Sequence, residues 1–487
     1  MGAESVAYHE ENVLGRADDH PGQALDYYGS RGETPLRWGG TVAEQLGLHG
    51  EVTPEAFRAV FGSGGCRHPV TGERLVRTKR PGFEIVVSAH KSLSVLGVIG
   101  RADDMNAILD AQTQGTTEWL EAALQAFGGR RGRAAVVTET TGMLWAVTRH
   151  GTSRAGDPEL HDHLLIANIC WMLDAKGGWK GLFSALVRDL GEAACMAGRT
   201  KAAAKAIELG YKIELDPGES GRARDWRIVG IPQAVCDIYS KRRDEIDEYI
   251  DTHGYTGYRA RKIAARRTRA VKRFTGVDQL MPRWVAELEA HGWTIEQLAA
   301  AMDAARQQGT GLLPDLTDHE IEDLTAEMMD PDGEFLTRWK VFGRSRLVAE
   351  IGPRLYGRHP DELDRVVNRV IASPEVVPLI GVSGAREQPY TAAAVPANEH
   401  TIAETIDRLT RHDGPAVDPQ TVRRAGDAKA ADIGRALTAG QKAAVANICG
   451  PHGAVKVVVG VAGSGKTTAL DAASRALEDA GYTVVGT

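Results

Sequence analysis

Three histidines lie close together in the sequence, at positions 150, 161 and 163. His161 and His163 are two residues apart and precede an apolar run, so on a β-strand both side chains would project from one face. A third imidazole from an adjacent strand would complete a three-nitrogen metal site, with open positions on the ion for a substrate oxygen. For the His-x-His pair alone, the alternative is two histidines that simply form hydrogen bonds on a half-buried strand.

Two other segments carry residue types suited to phosphate chemistry. Tyr27 and Tyr28 form a pair whose hydroxyls become nucleophiles once deprotonated. Residues 460–467 fit G-x-x-x-x-G-K-[ST] in full, after a predicted buried strand at 455–459 and before a predicted helix. In such a loop, backbone N–H groups close on phosphate oxygens, the lysine supplies a cation and the threonine a Mg²⁺ ligand. The predicted nucleotide-binding residues here are Gly460, Gly463, Ser464, Gly465, Lys466 and Thr467.

The sequence pattern around the histidines predicts an α+β domain with a mostly antiparallel sheet and flanking helices. Alternating or apolar runs predict strands at 83–88 and 164–172, the latter with the His-x-His pair at its start. Further patterns predict a hairpin of 134–139 with 143–148, a hairpin of 211–215 with 226–228, and a strand at 482–485. Helices are predicted at 105–127, ending at a Gly-Gly stop, and at 191–209, with a mostly helical region from 232 to about 308.

Length and composition place the chain among multidomain proteins. A chain of 487 residues suggests about three domains, and 43% apolar residues support packed cores. No apolar run approaches the roughly 20 residues needed to span a bilayer, and the N-terminus lacks a secretory pattern. We therefore expect no membrane segment and a cytoplasmic protein. The five cysteines are widely spaced with no C-x-x-C, which favours reduced thiols over cysteine-bound zinc.

Charge is distributed unevenly along the chain. The net charge of −7 argues against a wholly basic nucleic-acid coat. Residues 259–273 carry basic residues and no acids, a smaller basic cluster lies at 130–133, and residues 312–335 are acidic. The basic segment favours a local DNA surface, with a solvated helix face as the alternative. The DNA-binding residues predicted from it are Arg266, Arg267 and Arg269.

The longer string around the histidines resembles a known family. His150, Thr152, Ser153, Arg154, Asp157, Pro158, Leu160, His161 and His163 stand in the register of the metal motif of conjugative relaxases of the TrwC/TraI type (MobF family, HUH endonuclease superfamily). Residues 81–92, Pro-Gly-Phe-Glu-x-x-x-Ser-Ala-His-Lys-Ser, are similar to a second family string. The resemblance implies that the three histidines bind a divalent metal, Mg or Mn. It also implies that Glu84 stands for the family's aspartate beside them, and that Lys91 and Arg154 contact DNA.

The same resemblance implies a reaction. A tyrosine hydroxyl attacks a phosphodiester of single-stranded DNA at a plasmid transfer origin and forms a 5′-phosphotyrosyl link, with other transfer proteins as partners. The nucleophile carries over to Tyr27, with Tyr28 second. The chain departs from the family pattern in having one tyrosine pair rather than two, and glutamate at position 84. A catalytically impaired remnant that binds origin DNA without cleaving it is therefore the alternative.

The end of the chain resembles the start of a superfamily 1 helicase. Thr438 and Gln441 match its adenine-contacting motif, and the phosphate loop follows. Because the chain ends about twenty residues after the loop, we expect a truncated P-loop module that contacts ATP without helicase or ATPase activity. That same end argues against a third hypothesis, a P-loop ATPase unrelated to DNA nicking. The predicted organisation is a relaxase domain at 1–300, a helical linker region at 301–430 and the P-loop fragment at 431–487.

Overall fold

The computed structural model describes residues 35–62, 64–131, 134–153, 155–173, 177–217, 224–254, 258–268, 277–306, 311–380 and 387–486. Its contacts divide the chain into a first unit, residues 1–328 with 334–391, and a second unit, residues 329–333 with 392–487. Neither unit boundary coincides with residues 300 or 430, so the three-domain division stays a prediction.

The strands of the described residues, in chain order, are β1 (Arg37–Gly39), β2 (Gly82–Ser88), β3 (Ala126–Arg131), β4 (Ala134–Thr138), β5 (Trp145–Thr152), β6 (Pro158–Ala167), β7 (Cys170–Trp171), β8 (Trp179–Lys180), β9 (Ile213–Asp216), β10 (Asp225–Ile228), β11 (Val376–Pro378) and β12 (Tyr390–Ala392). The main sheet has the order β1-β5-β6-β2, and every neighbouring pair in it is antiparallel.

The helices of the first unit are α1 (Thr41–Gln45), α2 (Pro54–Phe61), α3 (Lys91–Val98), α4 (Ala102–Ala123), α5 (Ser184–Glu208), α6 (Gln233–Ile238), α7 (Lys241–His253), α8 (Tyr258–Arg267), α9 (Val277–Ala290), α10 (Ile295–Arg306), α11 (Asp318–Met329, which ends in the second unit), α12 (Glu334–Arg338), α13 (Arg344–Ile351) and α14 (Glu362–Ala372). Those of the second unit are α15 (Ala394–Thr410), α16 (Pro419–Asp432), α17 (Ala439–Ile448) and α18 (Lys466–Asp479).

The main sheet is packed on both faces. Because side chains alternate along a strand, Leu164 and Ile166 of β6 join the core formed with α3, α4 and α5, whereas Leu165 and Ala167 join the core formed with α1 and α2. Both sets are fully buried. Two packed faces fix the pairing register, because a slip of one residue would exchange the two sets of side chains.

Local signals explain how the smaller core is placed. Thr53 caps α2 by accepting a hydrogen bond from the Ala56 N–H at 3.2 Å, and Pro54 occupies the first helical turn. The buried side chains of this helix, Phe57, Val60 and Phe61, lie on one stripe that faces the sheet. This part of the chain covers the end of the sheet face remote from the histidines.

The antiparallel α+β architecture and the helical character of residues 233–254, 258–268 and 277–306 agree with the sequence predictions, and so does the β9–β10 hairpin. The predicted hairpin of 134–139 with 143–148 is wrong, because β4 pairs with β3 while β5 pairs with β1 and β6. The Gly-Gly pair read as a helix stop instead lies in β3, where the register shifts between Phe127 and Gly129. Glycine tolerates the irregular backbone of such a bulge.

The two strands predicted around the phosphate loop are also wrong for the described residues. Residues 455–459 and 482–485 have no strand pairing there, and Val457, Val459 and Val485 are 73%, 91% and 80% exposed. A strand requires a neighbour to accept its backbone hydrogen bonds, and the described residues provide none at this point. What packs in the second unit is a helical cluster, in which α18 lies against α16 and α17.

No helix among the described residues is both long enough and apolar enough to cross a membrane.

Candidate metal centre and phosphate loop

The sheet brings the three histidines together from two strands. In the β5–β6 pairing, His150 lies directly opposite His161, and Thr148 lies opposite His163. Directly paired residues share a face, and residues two apart on one strand do so too. All three imidazoles therefore project from one face of the hairpin formed by β5 and β6.

The imidazoles are close enough to bind a single ion. The ring centroid of His150 lies 5.3 Å from that of His161 and 4.5 Å from that of His163, and the centroids of His161 and His163 are 5.0 Å apart. One nitrogen from each ring can be chosen so that all three lie within 4.8 Å of one another. His150 is buried, and the other two are half-buried. Three neutral imidazoles at this spacing form a facial set of nitrogen ligands.

Hydrogen bonds orient two of the rings. The Nδ1 atom of His163 lies 2.6 Å from Oε1 of Glu84, and Nδ1 of His161 lies 3.0 Å from the carbonyl oxygen of Glu159. A carbonyl only accepts, and an ionised carboxylate also accepts, so both Nδ1 atoms carry the proton. In that tautomer the lone pair of each ring is on Nε2, the nitrogen that would bind a metal. Hydrogen bonds of this kind commonly fix the tautomer of ligating histidines.

Glu84 reaches His163 from the neighbouring strand. It lies on β2 opposite Leu165, on the same sheet face as the histidines and one diagonal step from His163. The glutamate side chain spans this step and makes a short contact with the imidazole. The structure thus brings Glu84 together with the three histidines, and the extra methylene does not prevent the contact.

The turn after His150 is held by side chains from three helices. Within the turn, the Ser153 hydroxyl accepts hydrogen bonds from the N–H groups of Ala155 and Asp157, at 3.2 and 3.1 Å. From outside, Trp284 of α9 donates its indole N–H to the Gly156 carbonyl at 2.8 Å, and Lys241 of α7 lies 3.1 Å from the fully buried Asp157 carboxylate. This turn joins the strand that carries His150 to the strand that carries the other two.

Lys91 is the third of these external contacts. Its ammonium donates to the Pro158 carbonyl at 2.9 Å, which ties the start of α3 to the start of β6. Burial lowers the pKa of Lys91, and the nearby carboxylates of Glu159 and Asp157 oppose that effect. The predicted DNA contact of Lys91 stays a prediction, and in this structure the side chain anchors the hairpin.

Sequence reasoning missed Arg149, Asp162, Asp157 as a buried carboxylate, Lys241 and Trp284. One signal for the first two was present. A basic residue immediately precedes His150, and an acidic residue separates His161 from His163. On paired strands whose histidines share one face, these two charges necessarily share the other.

Several predicted site residues lie outside the described part of the chain. These are Tyr27 and Tyr28, Arg154 and Arg269, together with the side chain of Arg266. Arg267 lies at the end of α8 and is exposed. Arg242 of α7 fixes that end of α8 by donating to the carbonyls of Ala265 and Thr268, at 2.8 and 2.9 Å.

The phosphate loop immediately precedes α18, which begins at Lys466. Gly463 and Gly465 have φ values of +77° and +78°, a conformation that glycine adopts without strain. The Lys466 ammonium donates to the loop's own carbonyls, at 2.8 Å to Gly460 and 3.1 Å to Val461. To bind a phosphate, Lys466 would exchange these carbonyls for phosphate oxygens. The other predicted loop residues, Ser464 and Thr467, are exposed beside it.

Gln441 is also engaged within the protein. Its side-chain oxygen accepts from the Thr438 N–H at 2.9 Å, and its own N–H donates to the Thr438 hydroxyl at 3.2 Å, which completes a capping box for α17. Its amide nitrogen lies 3.3 Å from the carbonyl oxygens of Ser464 and Gly465. The predicted adenine contact of Gln441 stays a prediction, and here the residue links α17 to the phosphate loop.

Comparison with known proteins agrees with this geometry. The family model for TrwC relaxase matches residues 3–291, which is more than half of the chain. The chain belongs to the TrwC relaxase family. A second family model, for an AAA domain, matches residues 436–487, the part that contains the phosphate loop.

Two curated relatives and one solved structure illustrate the likeness. The chain is 30% identical over 303 residues to the multifunctional conjugation protein TraI of Escherichia coli, and 29% identical over 303 residues to the TraI of strain K12. Each alignment covers 58% of this chain and 16% of the relative, so the chain spans only a small part of the relatives' length. A metal-bound structure of conjugative relaxase TrwC in complex with oriT DNA is similar at a TM-score of 0.50 and 24% identity. That match covers 61% of this chain and 98% of the other, and it shows a shared fold.

Proposed function

We propose that this chain is a metal-dependent DNA relaxase that cleaves one specific DNA strand at a plasmid transfer origin by tyrosine transesterification. The observation that carries the proposal is the cluster of three imidazoles whose donor nitrogens lie within 4.8 Å, with Glu84 hydrogen bonded to one of them. Membership of the relaxase family supports it, and the similar structure of conjugative relaxase TrwC is a complex with oriT DNA. Other transfer proteins are the expected partners.

The donor set favours one class of ion. Imidazole nitrogen suits transition metals, whereas Mg²⁺ prefers oxygen ligands and retains several waters. Of the two ions expected from the resemblance, Mn²⁺ therefore fits three histidines better than Mg²⁺. His150, His161 and His163 would hold the ion. When bound, it supplies a positive charge that polarises the scissile phosphate and stabilises the charge that develops in the transition state.

The residues of the chain divide the remaining work. Glu84 and the Glu159 carbonyl hold the rings of His163 and His161 in the ligating tautomer. The hydroxyl of Tyr27, or Tyr28 as second choice, attacks the phosphorus in line after its proton passes to solvent. The new Tyr–O–P bond forms as the bond to the 3′ oxygen breaks, and that oxygen takes up a proton to give a 3′-OH. The phosphodiester energy is conserved in the 5′-phosphotyrosyl link, so the reverse reaction rejoins the strand without ATP.

The phosphate loop plays no part in this chemistry. Residues 460–467 with Gln441 suit contact with ATP, as the AAA domain match supports. Hydrolysis also needs a carboxylate that holds Mg²⁺ and further charge stabilisers. We therefore propose nucleotide contact at this loop and no motor activity from residues 437–487 alone.

The test is cleavage of a supercoiled plasmid that carries the cognate transfer origin, in the presence of Mn²⁺ or Mg²⁺. The expected product is a nicked circle with protein attached to the 5′ end, formed by the wild-type chain and abolished by chelation. Tyr27→Phe should abolish the adduct, and Tyr28→Phe should reduce it less. An unchanged adduct in Tyr27→Phe would refute the assignment of the nucleophile.

The alternative function is a DNA-binding remnant that no longer cleaves. The single tyrosine pair favours it. Glu84 does not, because its carboxylate contacts His163 at 2.6 Å. Retention of origin DNA in a mobility-shift assay, with no nicking under Mn²⁺, Mg²⁺, Zn²⁺ or Ni²⁺, would select the remnant over the relaxase.

A further inference from the structure

A buried ion pair lies directly behind the histidines. Arg149 and Asp162 are direct partners in the β5–β6 pairing, and both project from the sheet face opposite the imidazoles. The contact is bidentate, with Nε to Oδ1 and Nη2 to Oδ2 at 2.8 Å each. The Asp162 side chain is 2% exposed and that of Arg149 is 15% exposed. Bidentate pairs of this kind are geometrically specific as well as strong.

The pair is anchored to the long helix behind the sheet. The Thr113 hydroxyl of α4 donates to Oδ2 of Asp162 at 2.6 Å. The guanidinium of Arg149 also reaches the same helix, with the shared Nη2 at 2.8 Å from Asp110 Oδ1 and Nη1 at 3.2 Å from Asn106 Oδ1. The network therefore joins β5, β6 and α4 at one point.

This point is where the sheet needs an additional restraint. In the described residues, β1 pairs with β5 only at Trp145–Val147, so the part of β5 that carries His150 has a strand partner on one side. Immediately after His150 the β5–β6 register shifts. His150 thus lies where β5 has one strand neighbour and an irregular register, whereas His161 and His163 lie on β6 between β5 and β2.

We propose that Arg149 and Asp162 are positioning residues that set the spacing of the three imidazoles by pinning their strands to α4. This inference rests on the proposed metal function. Asp162 lies between His161 and His163, and Arg149 directly precedes His150, so any movement of either backbone moves a ligand. If the pair contributed only to stability, its loss would leave metal affinity unchanged in the folded protein. If the pair positions the imidazoles, its loss should weaken metal binding.

The test is a double-mutant cycle on Mn²⁺ affinity, measured on the full chain by the EPR signal of the free ion, at a temperature where all variants are folded. Asp162→Asn and Arg149→Met should each weaken binding by about tenfold, as loss of outer-shell support does. The double variant should bind about as weakly as either single variant, because the pair acts as one unit. Arg149→Lys, which keeps the charge without the planar fork, should give an intermediate affinity.

The matched control is Glu350→Gln. Glu350 is another buried carboxylate of the first unit that accepts from an arginine, Arg224, at 3.0 Å. The Glu350→Gln variant should lower the melting temperature by about as much as Asp162→Asn does and leave Mn²⁺ affinity unchanged. Wild-type affinity in the single variants, or equal weakening in Glu350→Gln, would overturn the positioning role. A wild-type chain that binds no more Mn²⁺ than His161→Ala would instead refute the proposed metal site itself.

Discussion

The two strongest motifs in the sequence lie in the hairpin of β5 and β6 that carries the three histidines, here called the histidine hairpin, and in the phosphate loop at residues 460–467. The packing and hydrogen bonds around these two regions differ. Behind the histidines lie a bidentate ion pair and a fully packed core, and the connecting turn is held by Trp284 and Lys241. Around the phosphate loop, Val457 and Val459 are largely exposed, and Lys466 donates to carbonyls of its own loop.

The comparison separates two properties of a sequence motif. Residue types determine which ligand a site can bind, whereas packing determines whether the site is held in the binding geometry beforehand. The histidine hairpin has both properties. The phosphate loop has the residue types, and its lysine must give up internal hydrogen bonds to bind a phosphate.

The largest expected effect separates the two regions directly. His161→Ala should reduce origin nicking on the order of 100-fold or more, because it removes one of the three proposed ligands of the ion that would stabilise the transition state. Lys466→Ala should leave nicking unchanged and weaken ATP binding. For each variant, one protein preparation is used to measure both nicked-circle formation and ATP binding by equilibrium dialysis. A large loss of nicking in Lys466→Ala would show that the two regions are not independent.

The free energy of unfolding should also depend on the buried charges of the turn that joins β5 to β6. Lys241→Met leaves the fully buried Asp157 carboxylate without this cation, and we expect a loss of about 3 kcal/mol in unfolding free energy. The double variant with Asp157→Asn should recover most of that loss, since no unpaired charge remains. Glu287→Gln, which removes the second partner of Lys241 and the partner of Arg283 while Asp157 keeps its cation, is the control and should cost much less. Equal losses in chemical denaturation for all three would contradict this account.

Glu84 offers a smaller and more local change. Glu84→Gln should weaken Mn²⁺ binding by about tenfold, because an amide supports the ligating tautomer of His163 less well than a carboxylate. Glu84→Asp restores the residue expected from the family resemblance and should bind Mn²⁺ more tightly than Glu84→Gln. Titration of both variants beside the wild type checks the order. A Glu84→Gln variant with wild-type affinity would remove the carboxylate from the site.

The smallest expected effect is a pH dependence at the start of α3. His90 accepts from the Ser92 N–H through Nδ1 and contacts Asp216 through Nε2, at 3.1 and 3.2 Å. Burial lowers the pKa of His90 below its ordinary 6.5. Arg227 adds to that effect, while Asp225 and Asp216 oppose it. A lowered pKa in the folded state gives stability that is present above 6.5 and is lost as pH falls through the folded value.

Asn at position 90 would keep the helix cap without titrating in this range. His90→Asn should therefore lose less unfolding free energy than the wild type between about pH 7.5 and about pH 5. Urea denaturation at several pH values measures the difference. Parallel curves for the two proteins would assign the pH dependence to other groups.

How far the sequence predicts this molecule follows from how local each signal is. Strand alternation alone is enough to predict that His161 and His163 share one face of the sheet. The partners of β4 and β5 were predicted wrongly, since strand pairing depends on contacts far apart in the chain. Lys241 and Trp284 were missed for the same reason, because nothing near them in the sequence refers to the turn they hold.

One measurement tests the central claim most directly. Crystals of the full chain soaked in Mn²⁺ should show an anomalous difference peak between the three imidazoles, next to Nε2 of His161 and His163 and one nitrogen of His150. Crystals of Asp162→Asn should show a weaker peak at the same concentration. A peak elsewhere in the wild-type protein, or none at saturating Mn²⁺, would contradict the assignment of these histidines as the metal centre.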